Sequence, residues 1–556
     1  MRAVATDAAG RPAVAGLSPW LVGAALVGLA LVARAVAVSQ VRFVPTVDSA
    51  YYVGVAGRLA SGQGLTADVL WTYASPPLTL PQPAFTLWMP LASLLAAIPM
   101  VLGGTTSLLA AQVAMIVVGA ALAPLTWYVA DQAAAANGLT GRRRTTVALG
   151  SGLVAALFGP FLVAVTGPDS SVPFAVLAVA ACCVMPRALD AASGRRWGVA
   201  LGALLGLAYL ARQEAIWVGL TYLLLLLPEL RRRASGERAA WLARTLGPVV
   251  VAGAIVVAPW LLRQALVFGS PFPGQAIQNL WFTRNQDVFA FVQPPTMAAF
   301  LAQGPLVIGE HILAGMWHQL VDVLLLPTLP VGVFGLLGLL WAWRTPALRS
   351  ATALRALTLA AALMFVATGL LFPVATLAGT FLHASGPALV ALLVVAALAT
   401  DRAVAAIGAW RGWDKQNAWL APLVTLALAL PLTGLEVWLT GSFATNQAAR
   451  ESAAAVAMVG QLPAQAGAPA AVISDEPIGL GLIAGRPTLI LPDEPPADVL
   501  QLARQFGARA VLMFGEVARS APGFDGAACF RPGTLPAAAG AHTRLYLIDQ
   551  TAACVP

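Results

Sequence analysis

Two aspartates lie in short polar segments that follow long apolar runs. Asp48 occurs in PTVDSAYYVGVAGRLASGQG, a few residues beyond an apolar run that ends near Val38, and Asp169 occurs in TGPDSSVP. A carboxylate held in such a segment could act as a general base and take the proton from an attacking hydroxyl group. Each aspartate could also simply cap the helix that follows it. Capping keeps a carboxylate ionised and fixed, so the two roles are compatible.

Three further ionisable residues interrupt apolar runs. Arg212 and Glu214 lie in LARQEAI, and His383 lies in TFLHASGPA. A charge near membrane depth is costly unless it is paired or faces a wet cavity, so Arg212 belongs either to a functional site or to a structural ion pair. Glu214 is not expected to be its local partner, because residues two apart on a helix do not face each other. His383 could bind an anion or stabilise a helix end.

The composition predicts a polytopic membrane protein. Of the 556 residues, 59% are hydrophobic and 10% are charged, and the mean hydropathy is +0.80. Apolar runs of about 20 residues, enough to cross a bilayer core, recur from Trp20 to Thr440. The first run lacks a small-residue cleavage pattern, which favours a retained span over a signal peptide. The net charge of +8 lies in short clusters between the runs, which argues against nucleic-acid binding.

Arginine clusters between the apolar runs set the expected orientation of each span. Such clusters stay in the cytoplasm, and with a cytoplasmic N-terminus they predict a multi-pass plasma-membrane protein of about eleven spans. The predicted spans lie near residues 20–38, 107–130 and 146–166, one starts near Val172, two lie within 197–228, and five follow near 245–265, 320–343, 355–377, 384–400 and 418–440. On this count Asp48 and Asp169 share the outer side.

Two stretches need special treatment to keep this count. A crossing between Pro83 and Leu102 would place the next arginine cluster outside, so we expect this stretch to lie along or dip into the outer leaflet. Its prolines suit that role, since irregular backbone at membrane depth is tolerated where protein buries it. Residues 197–228 have cytoplasmic clusters at both ends and must turn near YLARQEAIW, which brings Arg212 to the outer side.

The C-terminal part has a different pattern. Short apolar segments in AAVISDEP, PTLILP, ARAVLMFGE and TRLYLID predict buried strands, and ADVLQLARQFG predicts an amphipathic helix ended by Gly507. Cys529 and Cys554 could form a disulfide if this region lies outside the cytoplasm, whereas Cys182 and Cys183 are adjacent in an apolar run. The pattern indicates a small α/β domain.

The fold class is therefore mainly α, a helical membrane protein with a small extracytoplasmic α/β domain. The membrane domain is predicted at residues 1–442 and the α/β domain at 443–556, with outer loops at 39–106 and 266–318. A short amphipathic helix is expected to follow Asp48 and lie at the membrane interface, with its tyrosines at headgroup level.

The order of these features resembles that of the GT-C membrane glycosyltransferases. A first span precedes the outer-loop aspartate and amphipathic helix of DSAYYVGVAGRLASGQG, and WTYASPPLTLPQPAFTLWMPLA follows. The chain is most similar to the protein O-mannosyltransferase and aminoarabinose-transferase-like branch. The resemblance covers about residues 18 to 400 and includes TGPDSSVPFAVL, LARQEAI and GTFLHASGPALV.

The resemblance implies a GT-C hexosyl- or pentosyltransferase of the cell envelope. Such an enzyme moves a sugar, with inversion, from a polyprenyl-phosphate donor to a hydroxyl of a protein, glycan or lipid acceptor on the outer face. Asp48 matches the first-loop aspartate that would be the base, and Asp169 matches the second-loop acidic residue. Many family members carry Asp-Glu where this chain has Asp48-Ser49. The missing carboxylate leaves a divalent metal possible but not favoured, so no metal ligand is assigned and no cofactor is certain.

The departing lipid phosphate needs positive charge, because negative charge builds on it as the bond to the sugar breaks. Arg212 is the first candidate, and the further candidates for donor phosphate or lipid are His383, Arg263 and Arg284. An interfacial arginine can instead be an anchor. Weaker candidates for substrate contact are Tyr51, Tyr52 and Glu214, and the aromatic residues of the second outer loop that could cover the polyprenyl chain or sugar, or pack on the membrane, are Trp281, Phe282, Phe289 and Phe291.

Two other classes of protein remain open on the sequence. A transporter or flippase of a lipid-linked substrate would favour charges near the midplane and broken helices in a repeat. The candidate carboxylates instead gather on one outer side, which favours chemistry at the membrane surface. A non-catalytic scaffold that holds the C-terminal domain outside is the third reading.

Overall fold

The computed structural model describes residues 18–190, 194–273, 275–413, 420–462, 469–515 and 523–554. The helices in this part of the chain are α1 (Pro19–Ser39), α2 (Val47–Ala60), α3 (Leu91–Gly103), α4 (Leu108–Gly119), α5 (Leu122–Ala136), α6 (Gly141–Ala156), α7 (Gly159–Thr166), α8 (Ser171–Ala188), α9 (Gly194–Ala211), α10 (Ala215–Arg231), α11 (Arg238–Thr245), α12 (Gly247–Phe268), α13 (Gln275–Gln278), α14 (Met297–Ala302), α15 (Gly304–His318), α16 (Val331–Arg344), α17 (Pro346–Arg349), α18 (Thr352–Leu371), α19 (Thr380–Ala384), α20 (Gly386–Arg411), α21 (Leu420–Gln461), α22 (Pro477–Ala484) and α23 (Pro496–Phe506). The strands are β1 (Thr66–Ala67), β2 (Val69–Leu70), β3 (Gln82–Pro83), β4 (Val472–Ser474), β5 (Thr488–Ile490), β6 (Ala510–Met513), β7 (Phe530–Pro532) and β8 (Arg544–Ile548).

The long helices confirm a multi-pass membrane protein. Within the described residues, eight helices are long and apolar enough to cross a membrane, and the bent pair of α15 and α16 could supply a ninth. Helices α9 and α10 occupy the stretch in which two crossings are predicted, and have 18 and 17 residues. The helical structure is interrupted between them at residues 212–214, where the sequence predicts the turn.

The predicted span at 320–343 is not one continuous helix, and that part of the prediction is wrong. The structure has a π-helical stretch at Gln319–Leu325, a 3-10 turn at Leu326–Thr328, and then α16, and the helical path is bent by 120° between Thr328 and Val331. Pro327 and Pro330 lie at this break. A proline inside a helix removes a backbone donor and clashes with the preceding turn, which explains why a continuous apolar run does not form one straight helix here.

The stretch from Pro83 to Leu102 contains a short helix and no full span. Helix α3 has 13 residues, about 20 Å at the usual helical rise, which is less than a bilayer core of about 30 Å. It packs between α2 and α4. The prediction that this stretch does not cross the membrane therefore agrees with the length of the helix that forms.

Close packing at glycine residues holds α9 against α12. A Cβ on Gly202 of α9 would lie 2.2 Å from the carbonyl oxygen of Val249 of α12, and one on Gly206 would lie 2.8 Å from Val256. Glycine at such positions lets two helix backbones approach, as is common between membrane helices. The packing fixes α9, whose C-terminal end leads directly into Arg212.

The C-terminal region forms a six-stranded sheet in the order β2-β5-β4-β6-β8-β7. Strands β2, β5, β4 and β6 are parallel, and β8 and β7 are antiparallel to their neighbours. The four predicted strands and the helix ended by Gly507 are confirmed, and Gly507 has the left-handed conformation, φ 66°, that suits glycine at a helix end. Cys529 and Cys554 are joined in a disulfide.

Two features link the sheet to the rest of the chain. Its edge strand β2 comes from the first outer loop, far away in sequence, and was not foreseen. Helix α21 runs for 42 residues, from the predicted last span across the expected boundary at residues 442 and 443 and into the C-terminal region. The C-terminal region is thus tied to the membrane region by a shared sheet and by one continuous helix.

Candidate active site

His383 lies between the two candidate carboxylates. Its Nε2 is 3.2 Å from Oδ2 of Asp48, and its Nδ1 is 3.3 Å from Oδ2 of Asp169. The hydroxyl of Ser171 lies 2.9 Å from the same Nδ1. Gly379, with φ 114°, begins the short helix α19 that carries the imidazole. The structure therefore brings together three residues that are distant in the sequence.

Asp48 stands in the first turn of α2, but it is not the N-cap. Thr46 has that role, since its hydroxyl accepts the backbone N–H of Ser49 at 3.2 Å. The capping alternative for Asp48 is therefore wrong, because a better-placed hydroxyl satisfies the helix end. A carboxylate in the first turn is still favoured by the helix dipole. One quarter of the Asp48 side chain is exposed (25%), so a substrate can reach it.

Asp169 lies deeper in the protein than Asp48. Its Oδ1 accepts the backbone N–H of Ser171 at 2.6 Å while its Oδ2 faces His383, so Asp169 orders the start of α8 and also contacts the imidazole. Burial by itself would raise the pKa of Asp169, but the hydrogen bond and charge of His383 and the bonds from Ser171 lower that pKa overall. Asp169 is thus a buried anion behind His383.

The carboxylates on either side of His383 favour the charged form of its imidazole. Burial by itself would lower the pKa of His383, but the hydrogen bond and charge of Asp169, together with the charge of Asp48, raise that pKa overall.

Gly167 keeps the two carboxylate-bearing segments close, because a Cβ there would lie 2.5 Å from the hydroxyl of Ser49. The arrangement can accept a proton at Asp48 and present positive charge at His383.

Arg212 and Glu214 form an ion pair, contrary to the expectation from helical spacing. Nη2 of Arg212 is 2.6 Å from Oε1 of Glu214, and Nε is 3.2 Å from Oε2. The expectation fails because these residues lie in the break between α9 and α10 and not on a helix. Nη1 of Arg212 also donates to the hydroxyl of Ser170 at 2.9 Å, beside Asp169. The guanidinium therefore faces the same site as the carboxylates.

A cavity of about 320 Å³ opens beside these residues. Its charged lining comprises Asp48, Arg212, Glu214 and His383. Its aromatic lining includes Trp71, Trp88, Phe282 and Phe289. Together they make a mostly apolar pocket with a few convergent polar groups, which is the usual form of a small-molecule site.

The aromatic residues of the lining contact one another. Trp71 packs edge-on against Phe289 with ring centroids 5.0 Å apart and lies 5.7 Å from Trp88. Tyr51 stacks on Trp88 at 4.1 Å and accepts the backbone N–H of Phe85 through its hydroxyl. Such edge-on and stacked pairs add stability beyond the buried area. The aromatic lining is thus a connected cluster.

The tyrosines of α2 are buried in protein, so they have little surface with which to contact lipid headgroups. Tyr51 is 5% exposed and Tyr52 is 1% exposed, because α2 packs against α3, β1 and α22. Tyr52 lines the cavity. Tyr51 does not line the cavity but stacks on Trp88, which does.

The other two candidate arginines do not line the cavity. Nη1 of Arg263 donates to the carbonyl of Ala84 at 2.9 Å, and its Nη2 donates to that of Leu65 at 3.4 Å, so it holds α12 to the first outer loop. Arg284 pairs with Asp287 and with Asp493 of the C-terminal region. Both arginines tie segments of the protein together. Of the other loop aromatics, Trp281 donates to Pro295 and Phe291 packs on Tyr73.

Among the described residues, no group of three or more histidine, cysteine, aspartate or glutamate side chains is placed to hold a metal ion. The imidazole of His383 occupies the position between the two carboxylates.

The whole chain can be compared with known proteins. No protein-family model and no curated protein matches it. Solved structures of ArnT and of an oligosaccharyltransferase do match over most of the chain, and this structural likeness shows that the chain has the GT-C fold predicted from its motifs.

Three of these structures illustrate the match. ArnT from Cupriavidus metallidurans bound to undecaprenyl phosphate has a TM-score of 0.54 and 15% identity, over 95% of this chain and 98% of its own. The same protein in the apo state has a TM-score of 0.52 and 15% identity, over 96% and 98%. The Archaeoglobus fulgidus oligosaccharyltransferase tethered to an acceptor peptide with the NVT sequon has a TM-score of 0.54 and 14% identity, over 89% and 70%.

Several residues of the site were not singled out from the sequence. Trp71 and Trp88 lie within WTYASPPLTLPQPAFTLWMPLA, but alternation or helical spacing does not mark them. Thr46 could have been found, since a threonine one turn ahead of an apolar helical run is a typical N-cap. Ser170 and Ser171 gave no signal apart from their position next to Asp169.

Proposed function

We propose that this protein is a membrane glycosyltransferase that moves a sugar from a polyprenyl-phosphate donor to an acceptor hydroxyl, with Asp48 as general base. The reaction takes place on the outer face of the plasma membrane and inverts the anomeric carbon. The observation that carries the proposal is the cavity that exposes Asp48 next to His383 and Arg212, in a chain with the GT-C fold. That ArnT was solved with undecaprenyl phosphate supports a lipid phosphate as the donor's leaving group.

Three residues of the charged lining have roles in the proposed reaction. The acceptor hydroxyl transfers its proton to the Asp48 carboxylate as its oxygen bonds to the anomeric carbon. The bond from that carbon to the phosphate oxygen breaks, and its electron pair stays on the lipid phosphate. Arg212 and the protonated imidazole of His383 stabilise the negative charge that develops there. Asp169 does not reach the cavity lining and acts through His383.

The first test is sugar transfer from a panel of labelled polyprenyl-phosphate sugars. Membranes would contain the wild type, Asp48→Asn, or Asp68→Asn as a control, with folded protein matched. Asp68 is a carboxylate of the same outer loop that is half exposed (48%) and paired with Arg58. We expect Asp48→Asn to lose about 10²–10⁴-fold in rate, the usual contribution of a general base. The control should keep its activity.

Other outcomes separate the remaining readings. Undiminished transfer by Asp48→Asn would remove Asp48 as the base. If the wild type transfers no sugar from any donor, movement of a fluorescent lipid-linked substrate across reconstituted vesicles would support the transporter or flippase. Absence of both activities would favour the scaffold.

A further inference from the structure

Glu494 connects the C-terminal sheet to the second outer loop. It follows β5 closely in sequence and is 6% exposed. Its Oε1 accepts backbone N–H bonds from three successive loop residues, Phe291 at 2.9 Å, Val292 at 2.8 Å and Gln293 at 3.0 Å. Bonds to an ionised acceptor are roughly twice as strong as neutral ones. One buried carboxylate therefore holds three consecutive backbone groups of another segment.

The loop that Glu494 holds has a fold of its own. Oδ2 of Asp287 accepts the backbone N–H of Thr283 at 2.7 Å, its hydroxyl at 2.8 Å and the backbone N–H of Arg284 at 3.2 Å. These contacts close a turn within the loop and do not involve the sheet. Asp287 therefore shapes the loop, whereas Glu494 attaches the shaped loop to the C-terminal region.

Two of the aromatic segments that line the cavity are attached at β5 or just after it. Phe289 lies two residues before the first backbone group that Glu494 binds, and it is 3% exposed. Trp71 directly follows β2, whose Leu70 is paired in register with Leu489 of β5. The two rings then meet edge-on. Strand β5 and the residues after it thus set the positions of Trp71 and Phe289 together.

From this we infer that Glu494 is a positioning residue for the donor sugar. The inference rests on the proposed function: a sugar whose phosphate lies at Arg212 and His383 must fill the rest of the cavity and contact its aromatic lining. Glu494 touches no reacting atom. It acts by holding Phe289 at the distance from Trp71 that the sugar requires, so the C-terminal region is part of the binding site without lining it.

The test compares Glu494→Gln with Asp525→Asn in the full-length chain. Asp525 is an exposed carboxylate of the same region (71%) that pairs with Arg544. We expect amide hydrogen exchange at residues 291–293 to accelerate by about tenfold or more in Glu494→Gln, because neutral bonds replace charge-assisted ones. We also expect the KM for the donor to rise about tenfold while kcat changes less than about twofold. The control should change neither.

The competing outcomes are distinct. Unchanged exchange in Glu494→Gln overturns the inference, and so does a fall in kcat at constant KM with lower thermal stability of the whole chain. If the wild type shows no transfer, binding of a labelled polyprenyl-phosphate sugar replaces the kinetic readout. Weaker binding with faster loop exchange then supports the positioning role even though the proposed reaction has failed.

Discussion

The charged residues of the cavity and the ring pair of Trp71 and Phe289 are held in place by different kinds of structure. Asp48, Arg212 and His383 stand at helix ends of the membrane region, in the first turn of α2, in the break after α9 and in α19. Trp71 and Phe289 come from loops that the C-terminal sheet holds in place. Groups that would do chemistry are thus fixed by packed helices, whereas groups that would only contact substrate are fixed by loops. Changes to the first set should reduce kcat, and changes to the second should raise KM.

The largest effect short of removing the base is expected from His383→Gln. Glutamine keeps a polar group near Asp48 but cannot carry positive charge. We expect kcat to fall by about 10²-fold with little change in the KM for the donor, since oriented charge is lost where charge develops. His318→Gln is the matched control, because that histidine pairs with Asp322 outside the cavity lining. Steady-state transfer rates measure both variants. A rise in KM alone would contradict the expectation that changes to the charged lining reduce kcat.

A smaller effect is expected from Asp169→Asn, and it should depend on pH. Asp169 raises the pKa of His383, so its removal should lower that pKa. The alkaline limb of the kcat profile should then move to lower pH, with a loss of about tenfold near neutrality. Asp68→Asn should leave the profile in place. An unshifted limb would show that the charge on His383 does not limit transfer.

The same pair has a consequence for stability. A raised pKa of His383 in the folded protein contributes stability that is complete below the ordinary histidine value and is lost as pH rises through the folded value. The lowered pKa of Asp169 contributes stability that is present above the ordinary carboxyl value and is lost as pH falls through the folded value. The pair should therefore raise the melting temperature of the wild type most at pH values between the ordinary carboxyl pKa and the ordinary histidine pKa. Asp169→Asn should reduce this stabilisation.

The smallest effect is expected from Phe289→Leu in the aromatic lining. Leucine keeps an apolar side chain but loses the edge-on contact with Trp71, which is worth about 0.5–1.5 kcal/mol in such pairs. The KM for the donor should rise about three- to tenfold with kcat nearly constant. Phe291→Leu, in the same loop but packed on Tyr73 away from the cavity lining, is the control. A loss confined to kcat would mean that the aromatic lining contributes to the chemistry.

Much of the fold could be predicted from the sequence, because length and apolarity determine which helices can cross a membrane. The sequence also predicts that Asp48, Asp169, Arg212 and His383 lie at helix ends on one side, and the structure brings these four residues close together. Partners were harder to foresee. Glu214 pairs with Arg212 because the helix stops there, which its spacing alone does not reveal.

The contacts between distant segments could not be predicted. Nothing in the two residues of β2 shows that they join a sheet whose other strands lie some 400 residues later. Glu494 likewise looks like an ordinary surface carboxylate next to Asp493. Both depend on how the outer loops fold over the membrane region, and that is decided by three-dimensional packing.

Helix α21 connects the membrane region to the sheet that holds Trp71 and Phe289 in place. Its 42 residues extend about 60 Å, from within the predicted last span to the C-terminal sheet. A helix of that length behaves as a lever, so a small tilt at its membrane end displaces the far end by several times more. Bilayers of different thickness tilt spanning helices to different degrees. We therefore expect a bilayer of different thickness to change the tilt of α21 and, through the C-terminal sheet, the spacing of Trp71 and Phe289.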